Sequence, residues 1–330
     1  MDWRIKGVIQ KALCAVPGGV RINDLLQRTV GGLRHFDVSV AGKVDDWVIH
    51  MDHMRTIDMP IAGKRVFEIG TGWFPTLPLC YALAGAGSCV TVDLTPHLSS
   101  RLTFRLLRAL GEHLDVIAGA AGCGRVEVEN RYLHYTRARD LPDLLARAGV
   151  EYFAPADATQ SGLPGDSVDV VLSNSVLEHV PKAVLTAMMR ESFRILRPGG
   201  IISHSVNCGD HYAYFDDRID FMNYLRFSEA EWAFWNNDIQ YQNRLRPHHF
   251  VDATNEAGFD IRVCIHQARP ELLEALPKMK VAPEFSHLPP EELACRSIDI
   301  VAAKPAAGAA GAAGAADPDG GASPSREGAD

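Results

Sequence analysis

Residues 65–75 read Arg65-Val66-Phe67-Glu68-Ile69-Gly70-Thr71-Gly72-Trp73-Phe74-Pro75. Arg65–Ile69 is a short β-like run. The two glycines behind it allow the backbone to turn tightly and a ligand to approach the chain. A helix-like stretch follows, from about Pro75 to Leu83. Strand, glycine turn and helix open a βαβ unit, and the rest of the chain keeps that rhythm. Ser88–Asp93 is a second strand. Leu98, Leu102, Leu106, Leu110 and Leu114 recur every fourth position, the spacing of one helical face. A less regular insertion spans about 118–150. Strands are expected near Glu151–Ala154 and at Val168–Ser173. A helix from Pro181 to Leu196 buries Leu185, Met188, Met189 and Phe193 and stops at Arg197-Pro198-Gly199-Gly200. A strand at Ile201–Val206, a helix at about Pro247–Ala257, and strands near Ile261–His266 and Ser297–Ala302 complete the pattern. Strands alternating with helices in this way predict an α/β, Rossmann-like fold around a parallel sheet.

The flanks differ from this centre. Residues 1–60 read as a helical extension broken at Pro17-Gly18-Gly19 and Gly31-Gly32. Residues 209–246 carry ten aromatic side chains, Tyr212 and Trp232 among them, and read as a cap inserted over the end of the sheet. Residues 306–330 hold ten Ala and six Gly with no large apolar side chain, so a disordered tail is expected. The 330 residues suggest two domains by length alone; with the tail set aside, 61–305 reads as one elaborated domain. The formal charge is −8, of which the tail carries −3, and this acidic balance disfavours nucleic acid as a partner. Seven cysteines without a CxxC pair read as reduced thiols. With no signal-peptide pattern and no apolar run long enough to span a membrane, a cytoplasmic protein is expected.

In open α/β sheets, ligands bind beyond the carboxyl ends of the strands where strand order reverses, which directs attention to Gly70-Thr71-Gly72. Taken alone, this GxG is also an ordinary βα turn. Pro75 stands where a dinucleotide fingerprint needs its third glycine, which argues against a nicotinamide-dependent oxidoreductase. Asp93 lies 21 residues past Gly72. Its carboxylate suits ribose hydroxyls, or else caps the next helix. Asp157 suits an adenine amino group, or else closes an Asx turn.

The set Val66-Phe-Glu-Ile-Gly-Thr-Gly72, Thr91-Val-Asp-Leu94, Pro155-Ala-Asp-Ala-Thr159, Val168–Val180 and Ile195-Leu-Arg-Pro-Gly-Gly200 resembles the class I S-adenosylmethionine-dependent methyltransferases, with a type 11-like pattern. The resemblance covers about 60–206 and extends to about 303. It implies a doubly wound, seven-stranded sheet, mostly parallel, whose last strand is antiparallel. It implies S-adenosyl-L-methionine as cofactor. Gly70, Thr71 and Gly72 would pass its methionine part, and Glu68 would help hold the ammonium. Asp93 with Leu94 would take the ribose side, Asp157 with Ala158 the adenine, and Asn174 would border the methyl-transfer opening. Phe74 departs from the usual GxGxG loop. A helix beginning at once, with Pro75 in its first turn, is expected there.

The implied reaction is in-line displacement at the sulfonium methyl, in which the protein aligns the reactants and excludes water. A hydroxyl acceptor also needs a base. Asp210 and His211, after the fifth strand, and His179, after the fourth, are the candidates; His204 reads as a packed core residue. No metal is expected, because His204, Asp210 and His211 lack ligand spacing. Arg244 and Arg246 suit an anionic group on the acceptor, or else pair with cap acids such as Asp216, Asp217 and Glu229. Trp232 and Tyr212 suit a planar or sugar-like acceptor, or else form the cap's own core. The expected partner is a small-molecule acceptor methylated on oxygen or nitrogen, and a homodimer is compatible with it. A methyltransferase-like fold acting only as a binding or scaffold subunit is the non-enzymatic alternative.

Overall fold

The computed structural model describes residues 2–14, 16 and 36–306. The breaks at 17–19 and 31–32, and all of the tail beyond Ala306, lie outside the described residues.

Val66–Ile69 are buried on both faces, which is what a short apolar run without alternation requires of a central strand. This run is β1 (Arg65–Ile69). It joins β2 (Ser88–Val92), β3 (Val150–Phe153), β4 (Val168–Asn174), β5 (Leu196–Asn207), β6 (Asp260–Ala268) and β7 (Cys295–Ala303) in one sheet of order β3-β2-β1-β4-β5-β7-β6. The pairs β3–β2, β2–β1, β1–β4 and β4–β5 are parallel, and β7 runs antiparallel to both β5 and β6. Strand order reverses between β1 and β4, and the carboxyl ends of those two strands are where open α/β sheets place their ligand.

Side-chain alternation sorts the sheet into two faces. Val66, Val170, Leu172, Ile201 and Val301 pack under α2 (Phe36–Thr56) and α3 (Thr76–Ala84) with Val40, Trp47, Leu79 and Leu83. Phe67, Ile69, Val171, Ile202 and Ile300 form the other face, whose core includes Leu185, Met188, Phe250 and Ala253.

Where an irregular insertion is expected, the structure has helices. After α4 (Ser100–Leu110) come α5 (Leu114–Ala121), α6 (Arg125–Tyr135) and α7 (Leu141–Ala148). Left-handed Gly122 and Gly149 end α5 and α7, and Asp140 caps α7 by accepting from the Asp143 amide at 2.9 Å. The helices are short, and few of their side chains face the core, so their periodicity is weak in the sequence. Arg197–Gly200 interrupts β5 as a bulge, since Val168 pairs with Leu196 but Val170 with Ile201. Helix α8 (Lys182–Ile195) precedes it.

The aromatic segment does not bury itself alone. Tyr212, Met222, Tyr224, Leu225 and Trp232 form one cluster with Trp3 of α1 (Trp3–Cys14) and with Leu272, Met279, Phe285 and Leu293. Within it α9 (Glu229–Trp235) starts at a capping box of Ser228 and Glu231. Helix α10 (Pro247–Glu256) then returns the chain to the sheet.

Candidate active site

Gly70 and Gly72 have φ of +91° and +66°, the left-handed region where glycine carries no Cβ penalty. They differ in surroundings: a Cβ on Gly70 would overlap Val176 Cγ2, whereas one on Gly72 meets nothing within 4 Å. Gly70 therefore seats the β1 loop against the β4 loop, and Gly72 faces open space. The Gly72 amide donates to Asp93 Oδ2 at 2.8 Å and the Thr95 amide to Oδ1 at 3.0 Å. Asp93 is thus fixed beside the glycine loop. It stands seven residues ahead of α4, whose cap is Ser99. Leu94 next to it is 75% exposed. Phe74 turns into the core against Phe36, with ring centroids 4.9 Å apart, and Trp73 stacks on His97 at 5.3 Å. Pro75 sits just before α3 instead of inside its first turn.

Glu68 lies under this loop and is buried, accepting a short hydrogen bond from the Thr91 hydroxyl. Burial pushes its carboxyl up to about 7, against the opposing pull of the Thr91 hydroxyl and Lys43 of α2. Asp157 is exposed. Its Oδ1 closes a turn onto the Thr159 amide and hydroxyl at 2.8 and 2.7 Å, with half-buried Ala158 beside it.

Helix α2 contributes residues that sequence reading passed over. Asp46 Oδ2 accepts from Asn174 Nδ2 at 2.9 Å, His50 Nδ1 lies 2.7 Å from Ser203 Oγ, and His53 Nε2 lies 3.2 Å from Asp299 Oδ2. Lys43, Asp46, His50 and His53 recur at helical spacing, each one position before an apolar core residue. The buried face is therefore wide and partly polar. That spacing is the signal by which they could have been found. On the opposite face, His204 Nδ1 pairs with Ser173 Oγ at 2.8 Å, and burial lowers its imidazole to about 3.

The loops after β4 and β5 meet. His211 and His179 approach edge to face, with centroids 5.0 Å apart, and His211 Nε2 lies 4.0 Å from Glu178 Oε1. That is too long for a hydrogen bond. Burial pushes the Glu178 carboxyl up to about 8 and the His211 imidazole down to about 3, and it lowers His179 as well. Asp210 does not join them. It is fully buried, its Oδ1 accepts from the Tyr212 amide and its Oδ2 from Asn223 Nδ2, each at 2.8 Å. It holds the start of the cap, and the set His204, Asp210 and His211 is not assembled.

The cap residues also turn inward. Trp232 is 1% exposed among Tyr212, Tyr224 and Phe227, and the Tyr212 hydroxyl donates to the Trp235 carbonyl at 3.1 Å. Arg244 pairs with Glu229 and donates to the Tyr224 and Phe227 carbonyls. Arg246 is enclosed by the Cys208, Glu292, Leu293 and Cys295 carbonyls. A buried cation spent on main-chain acceptors ties segments together and leaves no donor for an acceptor molecule.

The architecture is an α/β, Rossmann-like methyltransferase fold, with a glycine loop and an adjoining carboxylate where strand order reverses. Residues 114–203 match the profile of a family described as a methyltransferase domain. The chain is similar to an S-adenosylmethionine-dependent methyltransferase from Methanosarcina mazei, at 13% identity over 74% of this chain and 94% of that one, TM-score 0.43. It is similar to one from Mesorhizobium loti, at 14% over 74% and 92%, TM-score 0.37. It is also similar to a geranyl diphosphate methyltransferase solved with S-adenosylmethionine, at 13% over 79% and 85%, TM-score 0.43. No curated protein matches the sequence. Among the described residues, no helix is long and apolar enough to cross a membrane.

Proposed function

We propose that this protein uses S-adenosyl-L-methionine to methylate an oxygen or nitrogen of a small-molecule acceptor. The observation that carries the reading is the Asp93 carboxylate, held by the Gly72 and Thr95 amides beside open space at Gly72. Each oxygen keeps a lone pair for a ribose hydroxyl. Gly70, Thr71 and Gly72 pass the methionine part. Glu68 ionises to meet its ammonium, Leu94 offers apolar surface beside the ribose, and Asp157 with Ala158 meets the adenine. Asn174, anchored on Asp46, borders the transfer opening. The methyl leaves a positively charged sulfur, so the chain's task is alignment and exclusion of water. His179 and His211, side by side on the β4 and β5 loops, are the imidazoles we assign to an acceptor's proton.

Titration of the purified chain with S-adenosylhomocysteine tests this directly. Micromolar or tighter binding is expected, and its absence refutes the enzyme reading. Asp93→Ala removes charge-assisted hydrogen bonds of about 1.5–3 kcal/mol, so a loss of roughly tenfold or more follows. Unchanged affinity would remove Asp93 from the ribose site.

A further inference from the structure

The β4 and β5 loops aim three side chains at one point. Glu178, His179 and His211 each bring a ligand atom within 4.8 Å of the other two. Glu178 is 2% exposed, and neither of its carboxyl oxygens makes a well-formed hydrogen bond, its own amide and that of Asn207 being the donors that act on it from nearby; the Nε2 atom of half-buried His211 is likewise shielded and without a partner. Buried polar atoms left so are costly, and an ionised carboxylate far more so.

The surroundings orient these groups. His179 Nδ1 lies 2.6 Å from the Tyr241 carbonyl oxygen. A carbonyl only accepts, so Nδ1 carries the proton and Nε2 offers its lone pair. The His211 amide donates to Gln242 Oε1 at 3.0 Å, while Gln242 Nε2 donates to the Gly209 carbonyl at 2.7 Å. The Asn243 amide donates to the Glu178 carbonyl at 2.9 Å, and its side chain to the Leu177 and Val180 carbonyls. Three successive residues, Tyr241, Gln242 and Asn243, thus hold the three converging ones. Of these contacts the Tyr241 carbonyl alone touches a converging side chain, fixing the His179 ring and tautomer as a metal-ligating histidine requires, while the others anchor the main chain at His211 and Glu178.

We propose that Glu178, His179 and His211 form a binding site for one divalent cation of the zinc or iron(II) type, with its remaining coordination positions open. Two imidazoles and a carboxylate suit such borderline metals, whereas calcium takes six or more oxygens. Metal–ligand bonds of ~2.1 Å set tetrahedral ligand atoms ~3.4 Å apart, so side-chain shifts of about an ångström close the triad. The Lys6 ammonium of α1 also acts on His211, lowering its imidazole further as a like charge does. The two histidines come from separate loops, 32 residues apart, and so leave no spacing motif in the sequence. The open positions would receive an oxygen of the methyl acceptor and lower its pKa, so that with the cation bound the two imidazoles serve as ligands and no longer as bases; this role rests on the proposed methyl transfer, and the site itself does not.

The full chain, stripped with EDTA and dialysed, is titrated calorimetrically with Zn²⁺, and separately with Co²⁺ followed by visible absorption. One equivalent is expected to bind at micromolar or tighter affinity, with Co²⁺ giving d–d bands of low coordination number. Glu178→Gln and His211→Ala should each weaken binding at least ~10-fold. Should His211→Ala fail to fold, the near-isosteric Glu178→Gln and the wild-type Co²⁺ spectrum still decide. Absence of saturable binding up to about 100 μM, or unchanged binding in Glu178→Gln, overturns the site. S-adenosylhomocysteine is titrated into the same stripped protein. Its binding without metal uptake defeats only the metal site; metal uptake without it defeats only the methyltransferase reading.

Discussion

The role proposed for Glu68 makes cofactor affinity depend on pH in a calculable way. Burial raises its carboxyl from 4.5 to about 7 in the free protein. If the cofactor's ammonium requires the ionised form, binding below that value must release a proton. Affinity should then fall nearly tenfold per pH unit below about 7 and level off above it. Between about pH 8 and about pH 5.5 the ratio is (1 + 10^1.5)/(1 + 10^−1), or ~30-fold, about 2 kcal/mol. Isothermal titration with S-adenosylhomocysteine in buffers of different ionisation enthalpy measures both affinity and protons released: close to one proton at the acidic end, close to none at pH 8. Glu68→Gln should bind weakly with a flat profile. The same raised value implies a stability cost. A carboxyl raised on folding contributes stability below its unfolded value of 4.5 and loses it as pH rises through about 7. The fully buried group therefore opposes folding by at most about 3 kcal/mol at pH 8, and Glu68→Gln should raise apo-protein stability there while weakening the cofactor. A pH-independent affinity in the wild type, or an unchanged slope in Glu68→Gln, refutes this reasoning.

Gly70→Ala combines left-handed strain with overlap on Val176 and should cost about 2–4 kcal/mol in urea denaturation. Gly72→Ala carries the strain alone, about 1–2 kcal/mol, but places a methyl in the ligand's path; equal destabilisation by the two would contradict the seating role given to Gly70. Arg246→Met strands several main-chain carbonyls and should destabilise by about 3–5 kcal/mol, and a loss under about 1 kcal/mol would show that the buried guanidinium does not tie the cap to β7. Trp3→Ala removes a 4%-exposed ring lying 4.8 Å from Trp235 and 5.3 Å from Tyr212, with an expected cost of about 3–5 kcal/mol by thermal or urea unfolding. Unaltered stability would mean that α1 does not complete the cap's core.

Much of the fold, and the glycine loop with Asp93 beside it, was legible in one dimension, because these are built from contiguous segments. An apolar run, a glycine turn and an acid 21 residues on are local features, and β1, β4 and β7 lie within a few residues of where their patterns put them. The strand order and the antiparallel β7 came from resemblance, since nothing in a strand's own sequence states its neighbours. Short α5, α6 and α7 were missed because few of their residues face the core. The acceptor side was hardest to read. Asp210, Trp232, Arg244 and Arg246 are residue types that serve a ligand or a core equally well, and only burial and partners distinguish the two. Pairing α2 with Asn174, Ser203 and Asp299, and gathering Glu178, His179 and His211, joins segments far apart in the chain. Sequence by itself determined the elements and the glycine loop, whose causes are local backbone chemistry and periodic burial. Tertiary structure alone decided which polar side chains converge, because convergence depends on packing between elements that no local pattern encodes.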